Sequence, residues 1–519
     1  MTRVLASAAV PRPVRRAALL VGALALAVYL ATAGGSLATT DALMAFDVTK
    51  NLVEHGSLAA SHNVLGWEHN RGVDGRFYSQ FGIGQSIYNV PFYVAGAWFE
   101  RAAGRRIGRQ ETVTKAAVTA GSAIAAAASV WIAFLFAYQL TRSVSGATYG
   151  AVSLAFGTLL WPYAKFGFNQ PLGACCLLAA TYAVWRGVTT DRAAWLALGG
   201  LGLAAGLLTR HEFILAAVPV VLALVIASGR NYRLLARRLI SVGLPLTIGL
   251  LAWMQYNQIR FGSPFNTGYA PSFGNPLEGA WGLLLSPGAS LFLYSPIVGL
   301  GVIALVRMGR RDRMAAGLFA AHAVLYVLFY SSLSDWEGGR SYGPRYLVPL
   351  LPFFCIPLAY WFAEARKRTR VWLLAALAVS VLAQTPGVLV DFAKVAETDA
   401  QQSGESHAQR HSSWRSAPLM LNVRAATTAV PNNVAYLLAG QPPAAVRPSG
   451  GQDDRSFSRQ FAFSLDFWWL YLFHMRVVSA LAAVVLGVLP WLVAGILALA
   501  LGRLLRQCAN LRAAPGEAA

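Results

Sequence analysis

The sequence predicts an all-α protein that crosses a membrane many times. Of its 519 residues, 56% are hydrophobic and 13% are charged, which is more apolar sequence than a soluble core of this size needs. The apolar residues fall into runs of about 20, the length of a helix that spans a bilayer core. The arginines fall in short clusters between these runs, as the positive-inside rule expects of cytoplasmic loops.

These clusters also account for the formal net charge of +21. Because the charge is divided among loops and forms no single basic stripe, no nucleic-acid partner is expected. No metal or cofactor is expected either. His62, Glu68 and His69 lie in one loop but lack the spacing of a metal site, so a divalent metal has no support.

The first three apolar runs lie at about residues 17–37, 83–99 and 113–140. Basic residues precede the first run and follow the second, so both of these ends are predicted to be cytoplasmic. The loop at residues 38–82 is then outside the cell.

The next part of the chain offers four apolar pieces, at about residues 147–164, 171–185, 193–208 and 212–228. Four crossings here would place the basic cluster at residues 230–238 outside, against the charge rule. One piece is therefore expected not to cross fully. The two candidates are those interrupted at Trp161-Pro162 and at residues 209–212, where polar groups would need protein or water around them.

The remaining runs alternate without conflict. They lie at about residues 239–256, 291–306, 315–330, 347–362 and 371–390, and a final helix precedes the basic tail. This gives about 12 transmembrane helices with both termini cytoplasmic. We divide the chain into a transmembrane domain at 1–390, an extracytoplasmic loop at 391–467, and the last helix with its tail at 468–519.

The outer loop at residues 38–82 begins with a carboxylate, Asp41. Asp41, Met44, Val48 and Leu52 share one face at helical spacing, which predicts an amphipathic helix along the membrane surface. One interpretation is that Thr40 or Asp41 caps this helix. The other is that Asp41 acts chemically.

The same loop ends in polar residues that enter the second apolar run. Arg76 beside Tyr78 can hold a phosphate, or Arg76 can extend to lipid headgroups. Gln85 and Asn89 lie one helical turn apart and should face the bundle, since either would be costly against lipid.

A second outer segment reads SDWEGGRSYGPRY. It holds Arg340 and Arg345 in a glycine-rich path, with Tyr342 between them, and would suit an anionic ligand at the membrane surface. Alternatively, the two arginines pair with Asp335 and Glu337.

Taken together, these motifs resemble the GT-C glycosyltransferases that use polyprenyl-phosphate sugars, a group that includes protein O-mannosyltransferases and lipid A aminoarabinose transferases. The matching segments are Asp41 to Gly56, then YSQFGIGQSIYNVPFYVAG, RFGSPFNTGY, SPGASLFLYSP and WEGGRSYGPRYLVPLLPF. The last three are similar to bacterial family 39-like members. Many relatives have Asp-Glu where this chain has Asp41-Ala42, so a role for the second carboxylate does not carry over.

The resemblance implies a GT-C-like bundle whose domain at 1–390 is catalytic. It implies an inverting transfer of a hexosyl or pentosyl group from a polyprenyl-phosphate carrier to a hydroxyl of a glycan, lipid or protein. Asp41 would be the base. Arg76, Arg340 and Arg345 would stabilise the leaving phosphate, with Tyr78 assisting, and Gln85 and Tyr342 would complete the substrate site.

Two other functions remain open from the sequence. A transporter or flippase for a polyprenyl-linked sugar would share the basic residues, but the polar residues cluster at the outer face and no inverted repeat is visible. A non-enzymatic envelope assembly subunit is the third. The composition suits a bacterial inner membrane, with the site on the extracytoplasmic face.

Overall fold

The computed structural model describes residues 10–34, 37, 39–61, 70–102, 111–269, 271–403, 407–442 and 464–513. Within these ranges the chain is helical, with no β-strand beyond two isolated bridges. Two 3-10 helices, His211–Ala216 and Arg345–Leu350, lead into α-helices. The predicted all-α fold is confirmed.

The α-helices are numbered in chain order. Their bounds are α1 Arg12–Ala31, α2 Thr40–His55, α3 Gly84–Ala102, α4 Thr112–Thr141, α5 Val144–Phe156, α6 Leu160–Tyr163, α7 Gln170–Thr190, α8 Ala193–Thr209, α9 Ala217–Ser228, α10 Tyr232–Phe261, α11 Pro276–Leu285, α12 Leu291–Tyr294, α13 Ile297–Met308, α14 Arg313–Ser331, α15 Leu351–Glu364, α16 Lys367–Leu389, α17 Phe392–Ser403, α18 His407–Ser412, α19 Pro418–Ala439, α20 Trp468–His474 and α21 Ala480–Ala513.

Nine helices in the described part of the chain are long and apolar enough to cross a membrane. They are α1, α4, α7, α9 with its preceding 3-10 turn, α10, α14, α15 with its preceding 3-10 turn, α16 and α21. Three shorter apolar helices, α5, α8 and α13, lie between them in the chain. The multi-pass architecture is thus confirmed, whereas the figure of 12 crossings stays a prediction.

The contacts at the helix ends define two ends of the bundle. At one end Asn169, which immediately precedes α7, lines the same cleft as Asp41. At the other end Asp191, just after α7, pairs with Arg237 in the first turns of α10, 2.6 Å away. Trp185, near the same end of α7, donates to Asp312 over 3.1 Å, and Arg311 pairs with Glu364 at 3.1 Å. The arginine clusters at residues 230–238, 307–313 and 366–370 therefore share the end opposite Asp41.

The second predicted crossing is wrong. Helix α3 is absent from the candidate membrane spans, and its Tyr93 donates a hydrogen bond to Glu54 of α2 over 2.6 Å. Glu111, which precedes α4, pairs with Lys50 of α2 at 2.6 Å. Both the middle of α3 and the start of α4 therefore lie beside the helix that carries Asp41.

This correction also changes the interpretation of residues 146–228. Once α3 is not counted as a crossing, all four pieces can run between the two ends without placing the cluster at residues 230–238 on the wrong side. The expectation that one of them fails to cross came from the error at α3. The expected break at Trp161-Pro162 is present, because α5 ends at Phe156 and the short helix α6 follows.

Candidate active site

Helix α2 forms as its sequence predicts. It buries Met44 and Val48 against the bundle and ends at Gly56, whose φ of 62° is the left-handed geometry that glycine adopts easily. The predicted cap is wrong, because the side chain that accepts the backbone N–H of Ala42 belongs to Thr39. Asp41 is therefore not needed to begin the helix.

Asp41 faces a cleft that encloses about 290 Å³, including space open to solvent. Its walls are the first turns of α2, the segment that enters α3, and the residues before α7; they comprise Asp41, Ala45, Ser79, Phe81, Gly82, Gln85, Ser86, Gly167 and Asn169. Gly82 is required for this closeness, since a Cβ there would lie 2.1 Å from the carbonyl oxygen of Leu208 at the end of α8.

The carboxylate of Asp41 is paired with a guanidinium. Its Oδ2 lies 3.1 Å from Nη1 of Arg345, and both side chains are about one-fifth exposed. The Arg345 guanidinium also lies 5.2 Å from the ring centre of Tyr346. Oδ1 of Asp41 accepts no hydrogen bond within the described residues, so one carboxylate oxygen is available at the cleft.

A second cation lies close to this pair. Arg210 donates to Oδ1 of Asn169 over 3.0 Å and pairs with Glu212. Its guanidinium lies 5.5 Å from the ring centre of Tyr346. Glu212 already neutralises Arg210, whereas the partner of Arg345 is the cleft carboxylate itself.

Gln85 and Asn89 face inwards, as predicted, with exposures of 3% and 1%. Nε2 of Gln85 donates to Oδ1 of Asn89 over 2.9 Å. Oε1 of Gln85 has no hydrogen-bond partner in the described part of the chain. Gln85 therefore presents an unsatisfied acceptor on the wall of the Asp41 cleft.

The other predicted site residues make different contacts. Arg76 is 66% exposed and lies 3.7 Å from Asp74. Tyr78 is buried and donates to Asp74 over 2.8 Å; burial and this bond raise the pKa of Tyr78 to about 12. Asp74, Arg76 and Tyr78 are not among the residues that line the cleft. A role for Arg76 or Tyr78 in binding stays a prediction.

Arg340 and Tyr342 turn away from Asp41 although they neighbour Arg345 in sequence. Arg340 pairs with Glu397 of α17 at 3.1 Å, and the buried Tyr342 donates to the carbonyl of Ala383 over 2.5 Å. The predicted alternative, in which the arginines pair with Asp335 and Glu337, is wrong for both, since their partners are Glu397 and Asp41.

Sequence reasoning missed the buried arginine and lysine that hold the cleft walls. Arg260 is fully buried and donates to the carbonyl of Ser79 and to Oδ1 of Asn257. Lys165, two residues before Gly167, is fully buried and pairs with Asp466 at 3.1 Å. The available signal was a lone cation at the edge of an apolar run, which is costly unless it is paired.

No three His, Cys, Asp or Glu side chains form a metal-binding group within the described ranges. His62, Glu68 and His69 lie outside these ranges. The same holds for Arg105, Arg106 and Arg109, which follow α3.

Comparison with known proteins gives one family match. Residues 97–254 match the family model of dolichyl-phosphate-mannose-protein mannosyltransferases. No curated protein matches the chain.

Solved structures match over most of the chain. ArnT from Cupriavidus metallidurans bound to undecaprenyl phosphate is similar with a TM-score of 0.50 and 13% identity, over 91% of this chain and 76% of that one. The apo state of ArnT is similar with a TM-score of 0.49 and 14% identity, with the same coverage. The oligosaccharyltransferase AglB from Archaeoglobus fulgidus, in complex with an inhibitory peptide and a dolichol-phosphate, has a TM-score of 0.43 and 10% identity. This match covers 76% of the present chain and 58% of AglB.

The match to ArnT covers most of this chain. It shows a shared fold and, at 13% identity, says nothing of which residues act. The chain has the fold of the GT-C membrane glycosyltransferases.

Proposed function

We propose that the chain is an inverting glycosyltransferase that moves a sugar from a polyprenyl-phosphate carrier to an acceptor hydroxyl. The observation that carries the proposal is the contact of Asp41 with Arg345 at a cleft, with Oδ1 of Asp41 left available. Such a displacement needs a base for the acceptor hydroxyl and a cation for the leaving phosphate, and the cleft supplies one of each.

Asp41 would take the proton from the acceptor hydroxyl as its oxygen attacks the anomeric carbon. A carboxylate is a weak base, but the hydroxyl becomes acidic as the new C–O bond forms, so late proton transfer suits it. The bond from the anomeric carbon to the phosphate oxygen breaks in the same step. Because there is one displacement, the configuration at the anomeric carbon inverts.

Arg345 would stabilise the charge that develops on the leaving group. The donor is a phosphodiester with one negative charge, and the departing lipid phosphate gains a second. A guanidinium already fixed at the cleft by Asp41 and Tyr346 can meet that charge with little reorganisation. The leaving phosphate is ionised and needs no general acid.

The fold of the chain and the family match at residues 97–254 support a lipid-phosphate donor. The carrier found on ArnT is undecaprenyl phosphate, and we extend a carrier of this class to the present chain. Both hexosyl and pentosyl donors fit the proposal, as do glycan, lipid and protein acceptors. We place the site on the extracytoplasmic face of a bacterial inner membrane, with both termini cytoplasmic, because the arginine clusters share the opposite end of the bundle.

The test is transfer of radiolabelled sugar from synthetic polyprenyl-phosphate sugars in proteoliposomes. We expect Asp41→Asn to bind donor and to lose about 10² or more of the rate. Asp47→Asn is the matched control, because Asp47 lies on the same helix and its carboxylate accepts from the N–H and the hydroxyl of Ser61 at 2.6 and 2.8 Å. We expect it to transfer within a few-fold of wild type.

Four outcomes would decide against the proposal. Equal transfer by wild type and Asp41→Asn would show that Asp41 is not the base. Product with retained configuration would exclude a single displacement. Passage of labelled lipid across the bilayer without transfer would favour a transporter, and neither activity with any donor would favour a structural subunit.

A further inference from the structure

A recess lies at the end of the bundle opposite Asp41. It opens between the last turn of α13, the last turns of α15 and the start of α16, and it encloses about 960 Å³, including space open to solvent. Its walls are Arg307, Arg311, Tyr360, Trp361, Glu364, Ala365, Arg366 and Thr369. Three guanidinium groups and one carboxylate therefore meet in one place, which leaves an excess of two positive charges.

Contacts with residues at the helix ends fix the positions of these charged groups. The guanidinium of Arg307 lies 4.3 Å from the ring centre of Trp361. This cation–π contact fixes the position of the guanidinium against the indole ring. Nη2 of Arg311 lies 3.1 Å from Glu364. Arg307 and Arg366 form no ion pair within the part of the chain that the structure describes. The two positive charges without a carboxylate partner are therefore those of Arg307 and Arg366.

The recess also lies where lipid headgroups would meet the protein. Helices α13 and α15 are apolar up to Arg307 and Trp361, and α16 becomes apolar after Arg370. Tryptophan and tyrosine at the end of an apolar span mark the interface between hydrocarbon and headgroups. Trp361 and Tyr360 are both half-buried at this level.

A second recess at the same end also holds three arginines and one carboxylate, but it has different neighbours. It encloses about 810 Å³ and is lined by Asp191, Asn231, Arg233, Leu234, Arg237 and Arg238. Asp191 pairs with Arg237 at 2.6 Å and with Arg238 at 3.5 Å. Its wall contains no aromatic side chain. It offers a matched control, with arginines at the same membrane surface but without the tryptophan and tyrosine.

We propose that the recess around Arg307 and Arg366 binds the phosphate of an anionic phospholipid headgroup. Two guanidinium groups without a carboxylate partner can each donate a pair of parallel N–H bonds to two phosphate oxygens. The acyl chains would lie along the apolar faces of α13 and α16. Basic pockets between membrane helices bind anionic headgroups by this chemistry. The site is distinct from the Asp41 cleft and does not depend on the transfer reaction.

The test is lipid retention by the purified chain in neutral detergent, measured by native mass spectrometry with dioleoyl phosphatidylglycerol and dioleoyl phosphatidylcholine. We expect wild type to retain phosphatidylglycerol in preference to phosphatidylcholine. The double variant R307Q/R366Q should retain it roughly tenfold less well. R233Q/R237Q removes the same charge from the same end and should bind as wild type does.

Thermal unfolding of each variant in neutral detergent shows that it is folded. Removal of the competing carboxylate in Glu364→Gln should strengthen retention. Equal losses in both double variants would overturn the proposal in favour of diffuse attraction to a basic surface. Displacement of the lipid by an equal concentration of inorganic phosphate would show that the site takes free phosphate and not a headgroup, and the absence of any lipid preference in wild type would refute it outright.

Discussion

The direction in which Arg345 points is set by the glycine turns before it. Its position in the sequence alone would not distinguish it from Arg340. Gly338, Gly339 and Gly343 all have positive φ, between 69° and 71°. These turns reverse the chain within a few residues, so Arg340 faces α17 while Arg345 faces Asp41. Hydropathy and spacing identified the segment as a site but carry no information on which of its side chains turn inwards.

The contrast between the two arginines gives a residue-scale prediction. Arg345→Lys keeps the charge but loses the planar guanidinium that contacts both Asp41 and Tyr346. We expect its transfer rate to fall roughly tenfold or more, since the charge on the leaving phosphate is then met less well. Arg340→Lys, whose side chain is 53% exposed, should stay within about threefold of wild type.

Rates and donor affinities of both variants would be measured in the same proteoliposomes. Unchanged rates in both variants would mean that the segment acts through its overall charge, and a similar fall in both would mean that Arg345 has no special place in it. A fall in affinity alone for Arg345→Lys would mean that it binds the donor without stabilising the transition state.

At the scale of elements, one buried ion pair attaches the segment at residues 391–467 to the bundle, and a second lies within that segment. Lys165 pairs with Asp466 at 3.1 Å and Lys394 pairs with Asp391 at 3.0 Å, all four being at most 4% exposed. Burial lowers the pKa of Lys165, and the charge of Asp466 opposes this. The ends of the segment that we assigned to an extracytoplasmic loop, 391–467, thus pack into the molecule, although the division into domains stays a prediction.

This pairing predicts a stability pattern. Lys165→Met and Asp466→Leu each leave one buried charge without its partner and should cost roughly 3–5 kcal/mol. The double variant removes both charges and should lie much closer to wild type, since two apolar side chains of similar volume need no desolvation. Thermal unfolding in detergent would measure all three. Single variants as stable as wild type would contradict the burial of the pair.

Helix α3 shows why the sequence located the apolar runs well but wrongly predicted that this one crosses the membrane. Its 19 residues would reach about 28 Å, enough to cross by length. Length alone does not distinguish a helix that crosses from one that lies beside α2 with Ile87, Val94 and Trp98 exposed. The difference lies in contacts between distant residues, such as Tyr93 with Glu54, which no local pattern records.

The orientation of the whole molecule can be tested by labelling single cysteines with a membrane-impermeant maleimide. In a background without the four native cysteines, we expect His55→Cys and Arg101→Cys to react from the same side of oriented vesicles. Arg310→Cys should react only from the other side, because it follows α13 at the arginine-rich end. Reaction of Arg101→Cys together with Arg310→Cys would restore α3 as a crossing.

Most of the architecture at this scale was accessible from composition, because apolar runs of membrane length and charged loops between them reflect the solvent and not the partner helices. The cleft was not accessible in the same way. It needs Asp41, Gly82, Gly167 and Asn169, from three segments of the chain, to meet at one place.

That meeting place lies where spanning helices begin and end. Asn169 immediately precedes α7, and Gly82 packs on Leu208, in the last turn of α8. A donor with a polyprenyl tail would therefore find the cleft at headgroup depth while its tail stayed in hydrocarbon. Its search would be lateral diffusion in two dimensions, and its supply would depend on the mole fraction of carrier in the leaflet and not on a concentration in water.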